Sequence, residues 1–284
     1  MNRYADLMRM PLEQLRLRAR TPFRLFDSTE ALLADFARSV ADEVIAANRA
    51  ERLARLILPV GPVRQYPLLV DIINRERISW RHAWVFQMDE FLDWQGRPIA
   101  VSHPLSFTGF LRREFFDKLD QDLAMPADHH IVPHPFRIGE FSETLHQVGG
   151  ADCCFGGIGY HGHVAFNEPV LSRWHSVSAD EMRDSETRVT VLGDDSIVVQ
   201  SIHSAGGNCH AIPPMAVTCG MRDILASRKI RLYCAGGERH RAVFRIAVAG
   251  EATADYPVTL LQGHAGVEVL TDIATARPIC PGLR

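Results

Sequence analysis

A chain of 284 residues with 46% hydrophobic and 23% charged content can bury a large core, as one large domain or two smaller ones. The 31 basic and 34 acidic residues leave a net charge of -3, so no global field draws a polyanion or a membrane surface. The expected partner is a small molecule, with no nucleic acid and no membrane. The six cysteines (Cys153, Cys154, Cys209, Cys219, Cys234, Cys280) form no C-x-x-C pair, and several sit in apolar runs, the pattern of reduced core residues. No signal-peptide core and no apolar run of about 18 residues is present, so a cytoplasmic location is expected.

Residues 1–22 carry Arg3, Arg9, Arg16, Arg18 and Arg20 beside Asp6 and Glu13, unlike an acid-poor transit peptide. They are expected to form an N-terminal arm or helix and a candidate subunit contact in a homo-oligomer, with residues 23–284 as a single α/β domain. Asp27 with Glu30 marks a helix start, and Leu32, Phe36, Val40 and Val44 recur on one face of the helix that follows. Leu56-Ile57-Leu58 is a buried strand ending in Pro59-Val60-Gly61-Pro62, before a helix from about Pro67 to Asn74. Trp84-Val85-Phe86 is a second strand, ending at Gln87-Met88-Asp89-Glu90. Helices follow at Phe107 to Leu119 and Glu140 to Val148, then a strand at Cys153-Cys154-Phe155. Arg231 to Ala235 is a strand stopping at Gly236-Gly237, before a helical stretch from His240 to Val248. Strands alternating with helices predict an α/β fold, an open, doubly wound, mostly parallel sheet with helices on both faces. In such sheets ligands sit beyond the carboxyl ends of the strands, so the segments starting at Pro59, Asp89, Gly156 and Gly236 should converge.

The stretch from Gly156 to Pro169 holds two imidazoles, His161 and His163, and the carboxylate Glu168 in a glycine-rich turn directly after a buried strand. Gly157, Gly159 and Gly162 let a substrate approach the backbone, and Asn167 adds an amide. Asp89, with Glu90 beside it, ends an apolar strand, where a partly dry pocket raises a carboxyl pKa into the range of a general base. An acidic residue opening a surface loop is the plainer alternative.

The loop resembles the signature of glucosamine-6-phosphate deaminases, Gly-Gly-x-Gly-x-Asp-Gly-His-x-Ala-Phe-Asn-Glu-Pro, with His161 where that family has Asp. Met88-Asp89-Glu90-Phe91, His103-Pro104-Leu105-Ser106-Phe107 and Ile212 to Thr218 resemble further elements of the same family, in order, over roughly residues 23 to 250. The resemblance implies a fold shared with ribose-5-phosphate isomerase A and 6-phosphogluconolactonase. It implies a sugar-phosphate aldose-ketose isomerase and deaminase that makes fructose 6-phosphate and ammonia without a cofactor. Asp89 then shuttles a proton between C1 and C2, His163 opens the ring, and Glu168 supports His163. His161 in place of Asp changes the local charge and the control of the His163 tautomer. The family's phosphate loop is shortened to Val60-Gly61-Pro62-Val63-Arg64, its phosphate-binding arginine aligns on Ile202, and its lysine aligns near His240, between Arg239 and Arg241. Gly61, Arg64, Arg239 and His240 are thus the candidates for holding a sugar or sugar phosphate, either by rebuilt phosphate recognition or by recognition of a different acidic sugar. Three other readings stay open: a lactonase of the same fold, a metal site on His161, His163 and Glu168, and a sugar sensor without turnover.

Overall fold

A computed structural model describes residues 4–170 and 172–279; Arg3 and Cys280, named above, lie outside the described residues. The chain begins with two short helices, α1 (Ala5–Arg9) and α2 (Leu12–Arg18), and runs into β1 (Phe23–Phe26), α3 (Thr29–Arg49), β2 (Ala54–Leu58), α4 (Gln65–Glu76) and β3 (Ala83–Gln87). There follow β4 (Asp89–Leu92), α5 (Phe107–Glu114), β5 (His130–Ile131), α6 (Gly139–Gln147) and β6 (Cys153–Gly157). The remainder is α7 (Ala179–Arg183), β7 (Arg188–Val191), α8 (Asp194–Ser204), β8 (Met215–Thr218), α9 (Met221–Leu225), β9 (Lys229–Cys234), α10 (Arg241–Ala249), β10 (Val267–Asp272) and α11 (Ile273–Ala276).

Seven strands in the order β1-β10-β9-β6-β2-β3-β5 form one sheet in which every pairing is parallel. Its central strands are mostly apolar because both faces are covered, and side chains alternate between two cores. Leu56 and Leu58 join the core under α3 and α4, whereas Ile57 joins the core under α6 and α10. Arg55 and Asp152 brace the amino end of this centre: two guanidinium nitrogens reach the carboxylate at 2.8 and 3.0 Å.

A second sheet, β4-β8-β7, is antiparallel and was not anticipated. The sequence reading placed Asp89 at the end of the Trp84-Val85-Phe86 strand; the chain instead breaks at Met88 and starts a new strand, with Asp89 opposite Thr218. Smaller differences are local. Ser28, not Asp27, caps α3 by accepting from the Ala31 amide. The helix expected from Phe107 to Leu119 stops at Glu114 and continues as a tight 3-10 turn at Phe116–Lys118. Cys209 is exposed, unlike the core cysteines Cys153, Cys154, Cys219 and Cys234.

Leu15 of α2 is fully buried. Arg245 of α10 donates to the carbonyls of Leu7, Met10 and Ala276 at 3.0, 2.7 and 2.9 Å, joining both ends of the described chain to the body of the fold.

Candidate active site

The segments at Pro59, Asp89, Gly157 and Gly236 meet at the carboxyl ends of the parallel strands around a cavity of about 730 Å³. A groove of about 850 Å³ opens elsewhere, near Arg52, Arg77 and His82. Two of its cations are committed, Arg52 to Asp152 and Arg77 to Asp120 and Asp122, and none of the candidate residues named from the sequence lines it.

Asp89 lines the cavity at the seam between the two sheets, where the Met88 amide still bonds to Leu58 and the Cys219 amide bonds back to Met88. Burial pushes its carboxyl up to about 8, with the Glu90 charge adding to the effect. Glu90 itself faces away from the cavity. Its two oxygens accept from the amides of Phe91, Phe107 and Thr108 and from the Ser106 hydroxyl at 2.8 to 3.0 Å. It is seated on the amino terminus of α5 and does not line the cavity, contrary to its expected place among the substrate-binding residues.

After β6 the chain turns tightly: the Gly159 amide bonds to the His163 carbonyl at 3.0 Å and the Gly162 amide to the Gly159 carbonyl at 2.8 Å. Gly162 sits at φ +70, and at Gly159 a Cβ would lie 1.9 Å from His163 Nε2, so the imidazole folds back into the space a side chain would fill. His163 lines the cavity, and burial, followed by the charges of His161 and His240, pushes its pKa down to about 3. It is therefore a neutral imidazole near pH 7. Its Nδ1 lies 3.9 Å from Glu168 Oε1, an approach but beyond hydrogen-bond range, and has no hydrogen-bond partner among the described residues. Glu168 accepts from the Gly193 amide at 2.7 Å and from the Ser196 hydroxyl, both at the start of α8.

The other expected residues divide. Gly61, Gly157, Arg239 and His240 line the cavity, the His240 ring lying over Gly236 and 4.5 Å from the Tyr160 ring centre. Arg64 lines the rim but is bound to Glu30 at 3.2 Å, both side chains being exposed. Asn167 lies behind the wall: its amide donates to the carbonyls of Val164 and Cys219, and its oxygen accepts from Arg188 at 2.8 Å. Gly162 shapes the turn and does not line the cavity. Among the described residues no three His, Cys, Asp or Glu side chains are placed to hold a metal ion.

The structure adds residues that the sequence reading passed over. Asp195, Gln200 and His203 of α8 line the cavity, and His161 bonds through Nε2 to Asp195 at 2.5 Å. Phe91, Leu105, Phe107 and Phe166 form an apolar wall. The acidic pair Asp194-Asp195 after Gly193 is visible in sequence only as the start of a helix.

No model of a known protein family matches the chain. Curated relatives do. Glucosamine-6-phosphate deaminase of Porphyromonas gingivalis strain W83 is 31% identical over 236 residues, 81% of this chain and 82% of that protein. The Hahella chejuensis enzyme of the same name is 29% identical over 259 residues, 88% of each chain. A solved monomeric glucosamine-6-phosphate deaminase superposes with a TM-score of 0.76 over 90% of this chain and 98% of its own, at 23% identity. A 6-phosphogluconolactonase from Shewanella baltica gives a TM-score of 0.61 over 89% and 97%, at 19% identity. The agreement with the lactonase is one of fold, whereas the sequence identity over four fifths of both chains shows that this chain belongs to the glucosamine-6-phosphate deaminase family.

Proposed function

We propose that the chain converts an amino sugar phosphate, glucosamine 6-phosphate, into fructose 6-phosphate and ammonia. The observation that carries this reading is the pairing on one cavity of a buried carboxyl, Asp89, with a proton affinity raised to about pH 8, and a neutral imidazole, His163. His163 moves the proton between the anomeric hydroxyl and the ring oxygen, opening the ring. Ionised Asp89 then takes the proton from C2 and returns it to C1. With a further proton passing from the amine nitrogen to the C1 oxygen, this leaves an imine at C2, to which water adds before ammonia departs and the ketone forms. A pKa near the working pH suits a group that must both accept and release that proton. Glu168, tied to the start of α8, stands ready to take a hydrogen bond from His163 Nδ1 on a shift of less than about 1 Å.

The test is direct. Purified protein given glucosamine 6-phosphate should release ammonia and fructose 6-phosphate, and Asp89→Asn should lower turnover by about a hundredfold or more while leaving KM nearly unchanged. Undiminished turnover in a folded Asp89→Asn protein removes Asp89 from the mechanism.

A second reading has its own support. Arg64 and Arg239 are the only Lys or Arg side chains lining the cavity among the described residues, and Arg64 is engaged by Glu30. Recognition of a different acidic sugar fits that sparse cationic lining. Turnover of a sugar acid, with glucosamine 6-phosphate inert, decides for it.

A further inference from the structure

Helix α8 brings a carboxylate to the signature loop. Asp195, in the first turn of α8, accepts from His161 Nε2 at 2.5 Å, and the His161 ring centre lies 6.0 Å from that of His163. His161 is mostly buried, its side chain 18% exposed, whereas Asp195 is 64% exposed. The same helix turn is held independently by Glu168, through the Gly193 amide and the Ser196 hydroxyl, so the placing of α8 against the loop does not depend on Asp195 alone.

A neutral imidazole bonded to a carboxylate carries one negative charge as a unit, and a protonated one carries none. Without the carboxylate the same imidazole is neutral or positive. His163, faced by His161, His240 and Glu168, acquires positive charge whenever it holds the proton of ring opening. A unit that is negative or neutral beside it favours that state; one that is neutral or positive opposes it.

We propose that Asp195 acts through His161, holding it as the Nε2–H tautomer, so that the Asp195–His161 pair supplies beside His163 the negative charge that a single carboxylate would bring. Asp195 is a positioning residue in this scheme, since it acts through its bond to His161. The inference rests on the ring-opening role given to His163 above.

The exposure of Asp195 limits its effect, because solvent and salt screen a charge at the surface. Replacing Asp195 by Asn should lower kcat about fivefold with KM unchanged, in keeping with an ion pair worth at most about one kcal/mol. Asp194→Asn removes an equal charge from the same helix turn and should change kcat by less than about twofold. The decisive arm is the double variant. In a His161→Asp background, where a carboxylate already stands in the loop, Asp195→Asn should cost nothing, since two facing carboxylates repel. An equal loss in both backgrounds, or no loss in the wild-type background, overturns the proposal.

Imidazole nitrogen NMR of the full chain supplies a readout free of catalysis. His161 should show the Nε2–H tautomer with a strongly deshielded proton that Asp195→Asn abolishes; spectra that do not change overturn the pairing. A wild type that turns over no sugar phosphate, with the deshielded proton present, defeats the functional reading and leaves the pair standing as charge placement alone.

Discussion

Asp89 carries a large pH consequence, because burial, with the Glu90 charge adding to it, pushes its carboxyl from an ordinary 3.8 up to about 8. Since the base must be ionised, kcat/KM should rise with pH along a limb centred near 8, and His163, already neutral down to about 3, should add no limb between pH 5 and 8. A flat profile from pH 6 to 9 contradicts the assignment of Asp89. Stability follows the same group. Below about pH 4 folded and unfolded chains both hold the proton; between about 4 and 8 only the folded chain does, so stability falls as pH rises through that window, by up to ~1.4 kcal/mol per unit. His163 works in the opposite sense: the unfolded imidazole takes a proton near 6.5 and the folded one not until about 3, so its contribution is lost as pH falls through that range. Sequence reasoning found Asp89, His161 and His163 because a strand end and a glycine-rich turn are local signals. It misplaced Glu90, the neighbour of Asp89, because successive side chains of β4 point to opposite faces and only one face meets the cavity.

At the scale of elements, α5 shows how a carboxylate beside the site serves structure. Ser106 caps it by accepting from the Gly109 amide at 3.0 Å, and Glu90 takes the amides of Phe107 and Thr108 that have no partner within the helix. Glu90→Gln exchanges two acceptor oxygens for one and turns an NH₂ towards amide donors, which should cost about 2 kcal/mol in unfolding free energy. Removing the Glu90 charge should also move the acid limb of kcat/KM below 8, since that charge helps to raise Asp89. An acid limb that stays in place would show that burial alone sets the Asp89 pKa. The small antiparallel sheet and α8 escaped the sequence reading for a physical reason. β7 is four residues long with no fully buried position, and α8 buries only Ser196 and Ser201 among its eleven residues, so neither carries the apolar periodicity that marks an element.

The whole molecule is closed by Arg245, fully buried on α10, which gathers carbonyls from α1, from the residue after α1 and from the last turn of α11. Arg245→Met keeps the volume of the stem but leaves those carbonyls without donors, and should lower unfolding free energy by about 3 kcal/mol and speed amide exchange over residues 5–18. Amide exchange there that matches wild type would mean that Leu15 and its apolar neighbours hold the segment unaided. No helix among the described residues is long and apolar enough to cross a membrane. Self-association, expected from the sequence, is a proposal that light scattering checks: a monomer mass at working concentrations rejects it. The amino-acid sequence by itself determined the alternation of strand and helix, the mostly parallel sheet that this alternation implies, and the turn that seats His163, since each depends on apolar period or on glycines within a few residues; that the sheet has seven strands, with β1, β5 and β10 among them, came from the structure. Only the tertiary structure decided that Asp195 meets His161 across 34 positions, that Arg64 turns to Glu30, and that Glu90 and Asn167 serve the backbone, because a hydrogen-bond partner is set by which elements pack together and not by its distance along the chain.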